Sequence, residues 1–193
     1  MNCIEFSFDS KYMLVGGGSS KGYFLVVANA SIKPGKVSCS YLDDQKNVVP
    51  TVISRFAGQD VFLVGVSGSV YAYSLQSNIK LEQIHKFPNV CLGIITDICI
   101  KGNIAYCKGS QEPEVKILVF NYQASKSQHS EIAAYNSCII RPYQLQTATN
   151  LEKISYDRYH RWIYVGGTLG LTALKEDGLT KDLIQVSSSV DFF

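Results

Sequence analysis

The chain carries almost no excess of either charge: 18 Lys and Arg against 16 Asp and Glu leave a formal net charge of +2. A field that small does not hold a nucleic-acid backbone by counterion release, which excludes nucleic acid as the main partner. Long apolar runs are missing too. The longest, Tyr23 to Ala28, falls far short of the roughly 20 residues of a membrane-spanning helix. Charged residues make up only 18% and apolar types 46%, a balance that excludes a disordered tail or a coiled coil and suffices for one sizeable core. Six cysteines, at 3, 39, 91, 99, 107 and 138, include no C-x-x-C pair, so zinc-site spacing is absent. Met1, Asn2, Cys3 and Glu5 open no basic and then apolar secretory leader. The expectation is therefore a cytoplasmic, reducing location with mostly buried, reduced thiols. Asn29-Ala30-Ser31 is then a chance glycosylation acceptor.

Helical periodicity is nearly absent as well. Apolar residues come in short blocks bounded by Gly, Ser, Asn and Asp, which predicts an all-β chain. The expected strands are 3–8, 12–16, 23–28, 37–42, 52–56, 61–66, 70–75, 81–87, 94–100, 104–107, 115–122, 131–136, 151–156, 162–166, 171–175 and 183–186.

These blocks repeat. Leu14-Val15-Gly16-Gly17, Leu63-Val64-Gly65-Val66, Ala105-Tyr106-Cys107-Lys108 and Tyr164-Val165-Gly166-Gly167 each end a strand and precede a small polar or Gly-rich turn. Their third residues, Gly16, Gly65, Cys107 and Gly166, lie 49, 42 and 59 apart, near the 40 to 50 residues of a four-stranded propeller blade. The last interval is read as lengthened by an insertion over 141–150. The second strand of a unit, such as Val61 to Val64, is continuously apolar, as expected for a strand covered on both faces. The fourth, such as Leu81 to His85, mixes apolar with polar residues and reads as an outer edge. Gly at the end of the second strand permits close packing.

Phe6-Ser7-Phe8-Asp9-Ser10-Lys11-Tyr12 and the following Met13 to Gly17 resemble the first-to-second-strand segment of WD-repeat propellers, and Ile154 to Gly167 repeats the pattern. No unit has the Gly-His pair before its first strand or a Trp-Asp pair ending its third; those third-strand positions read Ala28-Asn29, Tyr73-Ser74, Asn121-Tyr122 and Ala173-Leu174. The resemblance implies a divergent β-propeller: one domain of about four blades, each of four antiparallel strands, with units 1–47, 48–90, 91–140 and 141–193. Four blades leave three outcomes open. The chain is half of a ring completed by another copy or another chain, a segment of a longer protein, or a compact four-bladed toroid.

No catalytic, cofactor or metal constellation emerges from spacing. Gly16 to Gly22 contains Lys21 but lacks the Gly-Lys-Ser/Thr that opens a helix in a phosphate loop. It reads as a turn between second and third strands, with a likeness to the Gly-rich first-blade loop of the WD-repeat exchange factor for Sar-type GTPases. His85, His129 and His160 stand apart, and Asp43-Asp44 falls in a polar turn. The expected role is a non-enzymatic protein-interaction scaffold, a subunit or segment of a larger assembly. The alternatives are a regulator of a small GTPase in membrane trafficking and a propeller hydrolase. In the scaffold reading the partner is a protein with an acidic, partly apolar patch. It meets loop residues Lys21, Lys46, Lys108, Arg141 and the aromatic anchor Tyr143, with Lys86 at the margin.

Overall fold

The computed structural model describes residues 2–19, 22–30, 38–40, 49–77, 79–111, 114–120, 139–144, 151–157, 162–167, 170–176 and 183–187. These contain no helix. They form sixteen strands in four sheets of four, and every pairing is antiparallel. The first sheet holds β1 (Cys3–Phe6), β2 (Tyr12–Ser19), β3 (Gly22–Asn29) and β4 (Ser38–Ser40). The second holds β5 (Pro50–Arg55), β6 (Val61–Val66), β7 (Ser69–Leu75) and β8 (Leu81–Phe87). The third holds β9 (Ile95–Lys101), β10 (Ile104–Gly109), β11 (Glu114–Val119) and β12 (Ile139–Gln144). The fourth holds β13 (Leu151–Asp157), β14 (Trp162–Gly167), β15 (Gly170–Glu176) and β16 (Leu183–Ser187). Each sheet is a meander whose strands run in chain order.

The sheets stack as propeller blades. Inner strand β1 packs on β5, β5 on β9, and β9 on β13, while no comparable contact joins β13 to β1 among the described residues. The arc is open. Three apolar layers fill its seams. Leu14, Leu25 and Val27 of the first blade meet Ile53, Phe62 and Val64 of the second. Leu63, Val70 and Ala72 of the second meet Ile98, Ala105 and Leu118 of the third, with Phe120 edge-on to Phe56 and Phe87. Tyr106, Val115 and Ile117 of the third meet Ile154, Ile163 and Val165 of the fourth. The second strand is the most enclosed, β6 being buried at every residue, as its unbroken apolar sequence requires of a strand covered on both faces.

Three expectations are corrected. Gly16, Gly17 and Gly18 are not a turn but ladder residues of β2, in register with Leu25, Phe24 and Tyr23. The GTPase-regulator alternative read Gly16 to Gly22 as one loop, of which Ser20 and Lys21 lie outside the described residues. The expected strand at 131–136 lies outside the described residues, and the fourth strand of the third blade is β12, which includes Arg141, Pro142 and Tyr143. β12 accommodates Pro142 because among the described residues it pairs only with β11, and an edge strand tolerates a residue without an N–H. The boundary between third and fourth units accordingly falls after Gln144, and 141–144 is no insertion. Lys108, placed in a loop by the sequence, sits in β10.

The turns joining first to second strands behave as read. Ser7 Oγ donates to Asp9 Oδ1 at 2.8 Å, and the Lys11 and Tyr12 amides donate to Asp9 Oδ1 and Ser7 Oγ. The Lys11 amide and ammonium hold the Asp9 carboxyl down at about 2. Ser10 takes a left-handed φ of 59°, whereas in the second blade's turn the left-handed residue is Gly58, one position earlier.

Glycine in the second strand has a measurable reason. A Cβ on Gly65 would stand 2.6 Å from Val52 Cγ1 and 3.0 Å from Ile95 Cγ2 on the next blade's inner strand. Gly65→Ala is expected to cost about 1–3 kcal/mol through overpacking and to lower the melting temperature by about 2–4 °C per kcal/mol. Thermal unfolding followed by circular dichroism checks this, and an unchanged midpoint would show that the seam can widen freely.

Candidate functional site

Register aligns the blades residue by residue. Cys3 pairs with Gly16, Val52 with Gly65, Asp97 with Lys108 and Lys153 with Gly166. Three inner strands carry a bulge at the same height, where Thr51, Thr96 and Glu152 are skipped by the ladder. Bulges of this kind re-aim neighbouring side chains. In this alignment Lys108, not Cys107, is the counterpart of Gly65, and Asp97 is the counterpart of Val52. The third blade has therefore exchanged an apolar residue and a glycine, directly opposite each other on two adjacent strands, for a carboxylate and an ammonium.

The seams show the same departure. Asn2 Nδ2 donates to Pro50 O on the next blade at 3.5 Å, and Thr51 Oγ1 donates to Ile95 O on the next blade at 2.5 Å. Thr51 Oγ1 also donates within its own blade to Gly65 O at 3.2 Å, and Thr96 Oγ1 repeats that bond to Lys108 O at 3.2 Å. Asp97 adds a further link at the third seam: the Ile154 amide of the fourth blade donates to its Oδ2 at 2.8 Å, and the Ile98 amide to its Oδ1 at 3.1 Å. The Asp97 side chain is 14% exposed, and the exposed Lys153 ammonium stands 3.9 Å from its Oδ1. Burial raises the Asp97 carboxyl above its ordinary value, against the opposing pull of the Ile154 amide and Lys153.

Lys108 is 2% exposed, and its Nζ donates to Gly109 O. Paired positions on adjacent strands share a face, so Lys108 and Asp97 rise into the same seam, above Tyr106 and Cys99, which pair on that face two residues along. Burial first, and then the Asp97 charge, push the Cys99 thiol up to about 11, so it is no nucleophile at neutral pH. Lys101 closes the far end of the seam with its Nζ 4.8 Å from the Tyr156 ring centre. Asp97 and Lys108 sit at the rim that carries the second-to-third-strand turns. On that rim the loop after β8 is strapped down by Ser110 and Gln111, whose amides donate to Ile94 O and Leu92 O. Leu92 and Ile94 are exposed there.

The expected partner surface does not assemble as drawn. Lys108 is interior rather than a loop cation, being 2% exposed within β10. Arg141 and Tyr143 lie on β12, in register with Ile117 and Val115, and Lys86 lies over the Tyr71 ring. Lys21, Lys46, Asp43, Asp44, His129 and His160 fall outside the described residues, and His85 packs beside Phe87. Among the described residues no three His, Cys, Asp or Glu side chains come together as metal ligands.

Sequence reasoning missed Asp97 and misread Lys108. The signal was present as a one-residue alignment error: placing Cys107 opposite Gly65 hid the only lysine at the glycine position.

No protein-family description and no curated protein matches the sequence. Solved structures resemble the fold. A candidate 6-phosphogluconolactonase from Bacteroides fragilis superposes with a TM-score of 0.70 at 10% identity, over 99% of this chain and 57% of its own. The periplasmic gluconolactonase of Pseudomonas aeruginosa gives 0.68 at 12% identity, over 98% and 57%. A chain of a mitotic checkpoint complex gives 0.51 at 8% identity, over 95% and 64%. The chain thus spans a little over half the length of the lactonase propellers it resembles. The expectation of a non-enzymatic scaffold is corrected by these likenesses: proteins named for lactone hydrolysis share this frame. The exclusion of an enzyme rested on finding no cluster at ligand or triad spacing, whereas the third seam brings Lys153 of the fourth blade to 3.9 Å from Asp97. The described residues form four blades of β-propeller type.

Proposed function

We propose that the chain is part of a propeller hydrolase that opens cyclic esters of sugar acids. The observation that carries the reading is Asp97, a mostly buried carboxylate whose ionised form the seam disfavours, held by two main-chain amides with Lys153 beside it. Carboxyls shifted upward by burial are the ones suited to take and return a proton near neutral pH. The support from outside the chain is its likeness in fold to the gluconolactonase-type propellers.

In lactone hydrolysis water adds to the carbonyl carbon, the bond from that carbon to the ring oxygen breaks, and a hydroxy acid leaves. Asp97 takes the proton of the attacking water and returns it to the departing ring oxygen. Lys153, exposed beside Asp97, stabilises the carbonyl oxygen as it gains charge. Lys108 positions Asp97 from the opposite strand.

A second reading, membership of the WD-repeat branch, is favoured by the Ser7–Asp9 turn and the checkpoint-complex likeness. It predicts no dependence of any lactone reaction on Asp97.

Two measurements test the proposal. Acid release from gluconolactone and 6-phosphogluconolactone, followed by pH-stat above the uncatalysed rate, is expected for the parent. It should fall on the order of 10²- to 10⁴-fold in Asp97→Asn. The parent's rate should drop toward acid at a pH above the ordinary carboxylate value, as Asp97 gains its proton. A parent that adds nothing to the uncatalysed rate, or an Asp97→Asn variant that keeps it, ends the hydrolase reading.

Stability separates function from architecture. A carboxyl whose folded value is raised contributes stability below its unfolded value and loses that contribution as pH rises through the folded one. Asp97→Asn keeps an oxygen for the Ile154 amide, so its melting temperature should gain on the parent's as pH rises from acid to neutral. Asp97→Ala strands that amide and should cost about 1–3 kcal/mol. An Asn variant less stable than the parent at neutral pH would make Asp97 an architectural residue.

A further inference from the structure

The chain passes from the second blade to the third over residues 88–94, and both of those blades have a neighbour on either side within this chain. The crossing is pinned from both directions. On the second-blade side the Cys91 amide donates to Gly68 O at 3.0 Å and the Ile95 amide to Ser67 O at 2.8 Å. On the third-blade side the Ser110 amide donates to Ile94 O at 2.9 Å, and the Ile94 amide donates back to Ser110 Oγ at 3.1 Å. A Cβ on Gly68 would stand 2.3 Å from Cys91 O, and one on Gly93 2.5 Å from Ser110 Oγ. Ser67 and Asn89 take left-handed φ values of 52° and 51°, which cost free energy in residues with a side chain. Val90 and Cys91 turn inward at 2% and 5% exposure, while Leu92 and Ile94 stand outward at 64% and 50%. A crossing held this tightly keeps them there.

Ile94 stands on the side of Asp97. Its bonds with Ser110 continue the β9–β10 ladder by one pair, and Ile95 lies over Gly65 of the second blade. Strand alternation then turns Ile94 to the opposite face, the one on which Asp97 receives the Ile154 amide of the fourth blade. Three residues of extended chain span at most about 10 Å, which bounds the separation of Ile94 from Asp97 along the strand. The rim thus sets fixed hydrocarbon near a carboxylate and the exposed Lys153 ammonium. A lone apolar residue on a surface needs no explanation, but ligand sites are built in this way, from apolar surface around a few placed polar groups.

We propose that Leu92 and Ile94 bind an apolar arm of the substrate, so that the cyclic ester opened beside Asp97 carries a hydrocarbon substituent. The inference rests on the hydrolase reading and adds to it the nature of the arm: hydrocarbon, as in a deoxy or alkylated sugar acid. Water opens the ring as described above, and the arm passes through the reaction unchanged. Full burial of a methylene is worth about fourfold in binding. An arm lying against exposed side chains keeps one side in water and gains about half of that free energy, or about twofold per methylene.

The probes are γ-butyrolactone, γ-hexalactone and γ-nonalactone, whose arms sit beside the ring oxygen and leave the attacked carbonyl unhindered. For the parent, kcat/KM from acid release in a pH-stat is expected to rise about 30-fold from the first to the last. Leu92→Ser and Ile94→Ser should each lower the ratio of kcat/KM for γ-nonalactone to that for γ-butyrolactone about threefold or more, and the double variant should bring it close to one. Ile4→Ser, at a residue 41% exposed on the first blade, should keep the parent's ratio. All of these variants should keep the parent's circular dichroism, since each residue is exposed. A parent that opens γ-butyrolactone or gluconolactone yet gains nothing with arm length, or Leu92 and Ile94 variants that keep the parent's ratio, overturns this inference and leaves the hydrolase reading standing. A parent that opens none of these lactones ends both.

Discussion

Where a second strand runs beneath the next blade's inner strand, at Gly16 under Pro50 and at Gly65 under Ile95, the approach is too close for a Cβ, and the rest of the arc is arranged around that closeness. It lets the apolar layers on either side of each seam interdigitate, and it brings Asn2 and Thr51 within reach of the next blade's carbonyls. It also explains why the second strand is apolar from end to end, because both of its faces meet another sheet.

The third seam obeys the same geometry with different chemistry. A lysine occupies the glycine position, a carboxylate faces it, and an amide of the fourth blade donates to that carboxylate. Burying a charge this way opposes folding unless it is well hydrogen-bonded, and two apolar residues at those positions would form a simpler seam. A blade stack that needs only close approach does not need Asp97 and Lys108. That mismatch between what the architecture requires and what the sequence supplies is the ground for proposing chemistry at this seam rather than in the loops.

Much of the fold was legible because strand period and block length are local properties. Fifteen of the sixteen expected strands overlap observed ones, and the repeat was visible in Leu14 to Gly17 and its echoes. The failures were of three physical kinds. Gly16 to Gly18 reads as a turn by propensity, but tertiary approach recruits the glycines into the ladder. Arg141 to Tyr143 read as an insertion, yet an outer strand has a free side on which the missing N–H of Pro142 does no harm. The site was hidden because Asp97 comes opposite Lys108 and beside Lys153 only through pairing and a bulge, and a bulge shifts the count by one residue without leaving a mark in composition.

Each blade touches only the blades before and after it, which gives the arc the character of a one-dimensional array. Opening then propagates inward from the ends, and amide exchange with solvent should grade accordingly. The amides of β6 and β10, shielded by a sheet on either side, would exchange last, and those of β1 and β2 sooner, even though all of these strands share the same ladder geometry. The two strands that flank the third seam's polar pair, β9 and β10, lie toward the protected middle, so the proposed site would sit on strands that open late.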